Sequence, residues 1–139
     1  MNFLKLSTLS LSLFILPVSA QTVQFNIEGI QHDKGKLYIQ LFKGENNFKK
    51  GKAHNEAIVN AKKGQLTVTF NNVEPGDYAI RYFHDENSNR DFDNNMFGMP
   101  IEGYGFSNNA PVNFGPPSYQ QMTFMVSNVA VINSSTVNY

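Results

Sequence analysis

Period-two alternation is what most narrows the folds open to this chain. Val23, Phe25 and Ile27 alternate with polar neighbours, and so do Leu66, Val68 and Phe70. Side chains on a strand point to opposite faces in turn, so each run predicts a strand with one buried face. Leu37, Ile39 and Leu41 take one phase of another run, while Tyr38, Gln40 and Phe42 take the other. A short strand is expected over residues 56–61. Tyr78, Ile80 and Tyr82 alternate with Ala79, Arg81 and Phe83 up to His84. Apolar in both phases, that run belongs in the middle of its sheet. Met122, Phe124 and Val126 mark a sixth strand, and residues 129–132 and 136–139 supply one or two more. Asp33-Lys34-Gly35, Lys62-Lys63-Gly64 and Pro75-Gly76 turn the chain between runs. The lysine-rich stretch 44–51 reads as a solvated loop anchored by Phe48. With no helical period after residue 20, about seven short strands imply an antiparallel β-sandwich.

Residues 1–20 read as an export signal peptide. Lys5 supplies the basic start, an apolar run covers 9–16, and Val18-Ser19-Ala20 offers small residues for cleavage before Gln21. The apolar run is too short to cross a hydrocarbon core of about 30 Å, so no membrane span is expected. The product is expected to be periplasmic or secreted, with residues 21–139 forming one domain. The 11 basic and 11 acidic side chains balance, and without Lys5 one net negative charge remains. Nucleic acid and anionic membranes ask for a basic field, so neither is an expected partner. The chain has no cysteine, which excludes thiol nucleophiles, disulfides and cysteine-held metals. Oxygen ligation of a metal stays open.

Residues 85–118 break the alternation. Structureless loops beyond about 12–15 residues are uncommon in compact domains and tend to be functional or disordered. Phe92, Met96, Phe97, Met99, Ile101, Tyr104 and Phe106 argue for order. Asp85, Asn87, Asn89, Asp91 and Asp93 occupy every second position, the spacing at which a loop offers oxygen ligands to calcium. The segment holds five acids against Arg90 alone, a net charge of −4. Clustered carboxylates repel one another unless something positive sits among them, and a cation is the simplest answer. An EF-hand loop counted from Asp85 wants glycine at its sixth position and glutamate at its twelfth. Those positions hold Arg90 and Met96. The closing carboxylate must come from elsewhere, and Glu102 is the candidate. The expected calcium ligands are therefore Asp85, Asn87, Asn89 and Asp93, with Asp91 through its carbonyl and Glu102 closing the set. In the competing reading, these side chains only bond their own backbone in Asx-turns.

Pro75-Gly76-Asp77-Tyr78-Ala79, His84-Asp85-Glu86-Asn87, the run from Gly98 through Gly103-Tyr104-Gly105-Phe106 to Asn109, and Gly115-Pro116-Pro117-Ser118 carry a resemblance. The chain resembles the domain of unknown function (DUF) family 2141, bacterial exported β-sandwich proteins. The resemblance implies a secreted immunoglobulin-like or transthyretin-like β-sandwich, and no established activity. It also implies glycine where this chain has Arg90.

The candidate ligand surface is made of His84, Phe97, Tyr104, Phe106 and Tyr119, whose rings suit a sugar or a peptide but equally suit pinning the loop to the core. His84 beside Asp85 and Glu86 is the one candidate general base, with no nucleophile spaced to serve it. Three functions follow. The first is a non-enzymatic exported module, calcium-stabilised, whose long loop meets an unknown protein or glycan. The second is a small periplasmic hydrolase using His84, and the third is a carbohydrate-binding module. Gly98, Gly103 and Gly105 are expected where positive φ or close backbone approach is needed.

Overall fold

The structure is a computed structural model that describes residues 20–139; the signal peptide expected over 1–20 lies, Ala20 apart, outside the described residues. Eight strands form two sheets. β1 (Gln21–Ile30), β2 (Lys36–Lys43), β3 (Asn55–Asn60), β4 (Gly64–Val73) and β5 (Gly76–Asp85) follow the five alternating runs. β6 (Gly103–Phe106), β7 (Phe124–Val126) and β8 (Val131–Thr136) complete the set. The smaller sheet has the order β4-β1-β8; the larger runs β3-β2-β5-β6, with β7 also paired to β5. All pairs are antiparallel except β1 with β8, which run parallel.

The core lies between the sheets and takes the phase the alternation assigns to it. Val23, Phe25 and Ile27 from β1 meet Leu37, Ile39 and Leu41 from β2 and Tyr78, Ile80 and Tyr82 from β5, all essentially without solvent exposure. β5 is central, flanked by β2 on one side and by β6 and β7 on the other. β7 pairs with its first residues and β6 with its last. Ser107, in a 3₁₀ turn between them, fills the gap: its hydroxyl accepts the Ile80 N–H at 2.9 Å and donates to the Met122 carbonyl. After β8, Val137 still bonds β1 while Asn138 bridges to Tyr104 of β6, tying one sheet to the other.

Two expectations change. The segment 85–118 is not one loop, because Gly103–Phe106 is a strand of the larger sheet. Its inward positions are glycines for lack of room. A Cβ on Gly103 would strike Tyr139, and one on Gly105 would strike the Tyr82 hydroxyl and Ser135. Two single-turn helices also appear, α1 (Glu45–Lys49) within the lysine-rich stretch and α2 (Tyr119–Met122), where Met122 was expected in a strand. Ser118 and Gln121 cap α2 reciprocally, which sets its start despite its shortness.

Candidate functional site

The outward phase of the larger sheet is not a solvent face. Tyr38, Gln40 and Phe42 of β2, Ala79, Arg81 and Phe83 of β5, and Tyr104 and Phe106 of β6 point away from the main core. Over them lie α1, α2 and parts of the segment between β5 and β7. Ala79, Phe106, Ala110 and Met122 form a second buried cluster, with Phe48, Tyr104, Val112 and Tyr119 packed against it. Beside this cluster a cleft of about 450 Å³ stays open. Its floor is Tyr38 and Phe83, stacked at 5.0 Å and 8° between planes. Phe92 stands 5.5 Å from both Phe83 and Tyr104 and forms one wall. Phe48, Pro116 and Pro117 close other sides. A second cavity shares the walls Phe92, Tyr104, Phe106 and Pro116 and extends to Phe97, Met99 and Phe114.

Arg81 is the one charged residue in the lining of either cavity. Its Nε donates to Gln40 Oε1 at 2.8 Å, and Gln40 in turn donates to Glu56 at 2.6 Å. The guanidinium lies 4.8 Å from the Phe42 ring and 5.8 Å from that of Phe48, within cation–π range. Burial pulls its pKa below the usual arginine value, and Glu56 offsets part of that; the group stays charged at any physiological pH. Burial likewise raises the Tyr119 phenol above its usual range.

The acidic run makes a separate unit at the end of β5. Asp85 is buried, and its two carboxylate oxygens accept the N–H groups of Asn89 at 3.1 Å and Arg90 at 3.0 Å. Asn87 and Asn89 each accept a backbone N–H two residues on. Their amide groups both donate to Asp93 Oδ2, at 2.6 and 2.8 Å. Glu102, also buried, accepts the N–H of Glu86 at 3.0 Å and that of Asp93 at 3.1 Å. Five of the six proposed calcium ligands thus share one hydrogen-bonded network; the Asp91 side chain lies outside it, exposed. Arg90 has φ 70°, so the sharp turn forms without the glycine. Among the described residues no three His, Asp or Glu side chains converge to hold a metal ion.

His84 does not join the ligand surface. It faces the inner side of the sheet with no solvent exposure. Its Nε2 lies 2.6 Å from the Lys34 carbonyl, which can only accept, so that nitrogen carries the proton. Nδ1 lies 2.8 Å from the Tyr139 hydroxyl. Neither neighbouring carboxylate reaches the ring: Asp85 serves Asn89 and Arg90, while Glu86 holds His32 at 2.7 Å and the Gly103 N–H. With both nitrogens engaged by protein partners and the ring buried, no nitrogen is free to meet a substrate. Phe97, largely exposed at the loop tip, reaches Tyr104 and Phe106 only across the second cavity, while Tyr119 packs on Phe48 at 5.8 Å. Tyr104 and Phe106 do line the cleft. Tyr38, Phe48, Arg81, Phe83 and Phe92 were not foreseen there. The signal for Tyr38, Arg81 and Phe83 was the aromatic outward phase of β2 and β5, a pattern that asks what covers that face; Phe48 and Phe92 belong to the covering segments.

Fold and site together define a class: a β-sandwich whose larger sheet carries an aromatic cleft on its outer face, walled by the segment that follows β5. The chain belongs to the family described as uncharacterized protein conserved in bacteria (DUF2141), whose model matches residues 25–133, from β1 into β8. No curated protein and no solved structure matches the chain.

Proposed function

We propose that the protein is an exported, non-enzymatic module that holds a small ligand in the aromatic cleft, with the acidic run serving as the brace that fixes the Phe92 wall. The carrying observation is the cleft itself: about 450 Å³, aromatic, with two polar side chains in its lining, Gln40 and Arg81, apart from tyrosine hydroxyls. Binding sites for small molecules have this size and this ratio of apolar wall to polar anchor. The brace matters because Phe92 lies between Asp91 and Asp93, inside the stretch that Asp85 and Glu102 tie down. The sealed state of His84 supports a binding role over hydrolysis. Titration with neutral phenylnaphthylamine should give saturable single-site fluorescence enhancement, lost in Phe92→Ala and Tyr104→Ala proteins that melt as cooperatively as wild type. Enhancement that survives both substitutions would remove the cleft from the account.

Calcium is proposed as an added stabiliser of the brace, on one observation. Arg90 takes the left-handed conformation that the sixth position of a calcium loop demands. Each carboxylate oxygen that accepts one N–H keeps a second lone pair, so Asp85 and Glu102 can serve backbone and cation together. Millimolar calcium should raise the melting temperature over that in chelator, and the rise should grow with concentration by mass action. Superimposable melts would discard calcium and leave the hydrogen-bonded brace standing.

A further inference from the structure

We propose that the cleft selects a small organic carboxylate with an apolar body, the carboxylate seated on the Arg81 guanidinium and the body on Phe83, Phe92 and Tyr104. This deepens the reading of the cleft as a ligand site and rests on it. The Arg81 charge is met by no carboxylate directly, Glu56 reaching it only through Gln40. The ion pairs among the described residues are His32–Glu86, Lys43–Glu74 and Lys49–Glu45, and Arg81 is in none of them. Of its five N–H donors, the one on Nε goes to Gln40, and among the described residues no acceptor meets the four on the terminal nitrogens. Those four form the planar fork that matches a carboxylate bidentately. A half-buried charge without a directly bonded anion is costly in an apolar setting, and a ligand anion would relieve that cost.

The rest of the lining narrows the class. With Arg81 its single charge, the cleft balances a monoanion. A phosphate monoester brings about −1.5 to −2 at neutral pH and would leave charge unmatched in an apolar site. The stacked Tyr38–Phe83 pair and the Phe92 and Tyr104 rings offer extended apolar contact and few hydrogen-bond partners, which disfavours a polyhydroxylated body. The second cavity, walled in part by the same Phe92 and Tyr104, has no charged lining residue and suits the far end of an apolar chain. Free medium-chain fatty carboxylates fit both requirements.

The test titrates decanoate and decanol, below their aggregation limits, into isotope-labelled protein, following amide and aromatic resonances. Decanoate should bind wild type at least about tenfold more tightly than decanol, the scale of one charge-assisted hydrogen-bonded pair, with shifts centred on Phe83, Phe92 and Tyr104. Arg81→Gln should erase that preference, weakening decanoate about tenfold and leaving decanol within about twofold; Arg81→Lys should fall between. Equal wild-type affinities for decanoate and decanol would overturn the carboxylate claim and leave the cleft as an apolar site. Shifts absent from the cleft for both probes would overturn the claim and the ligand-site reading together. If Arg81→Gln does not fold, the wild-type comparison and the lysine variant decide.

Discussion

Glu102 does at one residue what the acidic run could not do for itself. Carboxylates gathered in one segment repel, yet the buried pair Asp85 and Glu102 each turn both oxygens onto backbone N–H groups. The charge is met by donors that the loop would otherwise leave unsatisfied. Glu102→Gln separates the two effects. Removing one negative charge relieves repulsion that the accepted N–H groups already offset. Replacing an acceptor oxygen by an NH₂ group sets a donor against either the Glu86 or the Asp93 N–H in a buried place, a loss of about 1–3 kcal/mol. The second effect wins, so the urea midpoint should fall with an unchanged slope. A midpoint equal to or above wild type would mean that charge repulsion, and not N–H satisfaction, governs the segment.

Among the elements, β6 is the instructive one, because alternation could not announce it. Its outward phase, Tyr104 and Phe106, was legible as aromatic, but its inward phase is Gly103 and Gly105. Tyr139 and Tyr82 already fill the space a side chain would need. Four long strands, β1, β2, β4 and β5, were readable because each carries its own buried residues; α1 and α2 were not, since one turn is too short to display a helical period. The cleft was half legible for a related reason. An aromatic outward phase on β2 and β5 says that the face is covered, but not which distant segment covers it. Gly105→Ala tests the packing account of β6. Alanine restricts the unfolded chain, a gain of up to about 1 kcal/mol. Its methyl must displace the Tyr82 hydroxyl, which donates to Ser135 at 3.0 Å, and overpacking of this kind costs about 1–3 kcal/mol. Net destabilisation in chemical denaturation is expected; a midpoint held at or above wild type would mean the core makes room at no cost.

At the scale of the whole molecule the sandwich has a third, partial layer. The smaller sheet covers one face of the larger, and α1, α2 and the stretches after β5 cover much of the other, so β2 and β5 are protected on both sides. That layering predicts a graded pattern of hydrogen exchange, since local opening follows buried contacts and backbone bonding. The amides of β1, β2 and β5 should exchange only through global unfolding. Those of Glu86, Asn89, Arg90 and Asp93, though outside the strands, each donate to a side-chain oxygen and should exchange at intermediate rates. The amides of Val112, Asn113, Phe114 and Gly115 donate to nothing in the described chain, and Phe114 sits fully exposed with φ 56°; they should exchange nearly as fast as free peptide. Mass spectrometry of peptides spanning the two stretches separates the cases. If 86–93 exchanged as fast as 112–115, the carboxylate network would not hold in solution, Phe92 would lose its support, and the cleft would be without a fixed wall. If 112–115 were instead as slow as 86–93, the outer layer would be more complete than the bonding pattern allows, and entry to the cleft would require that layer to open.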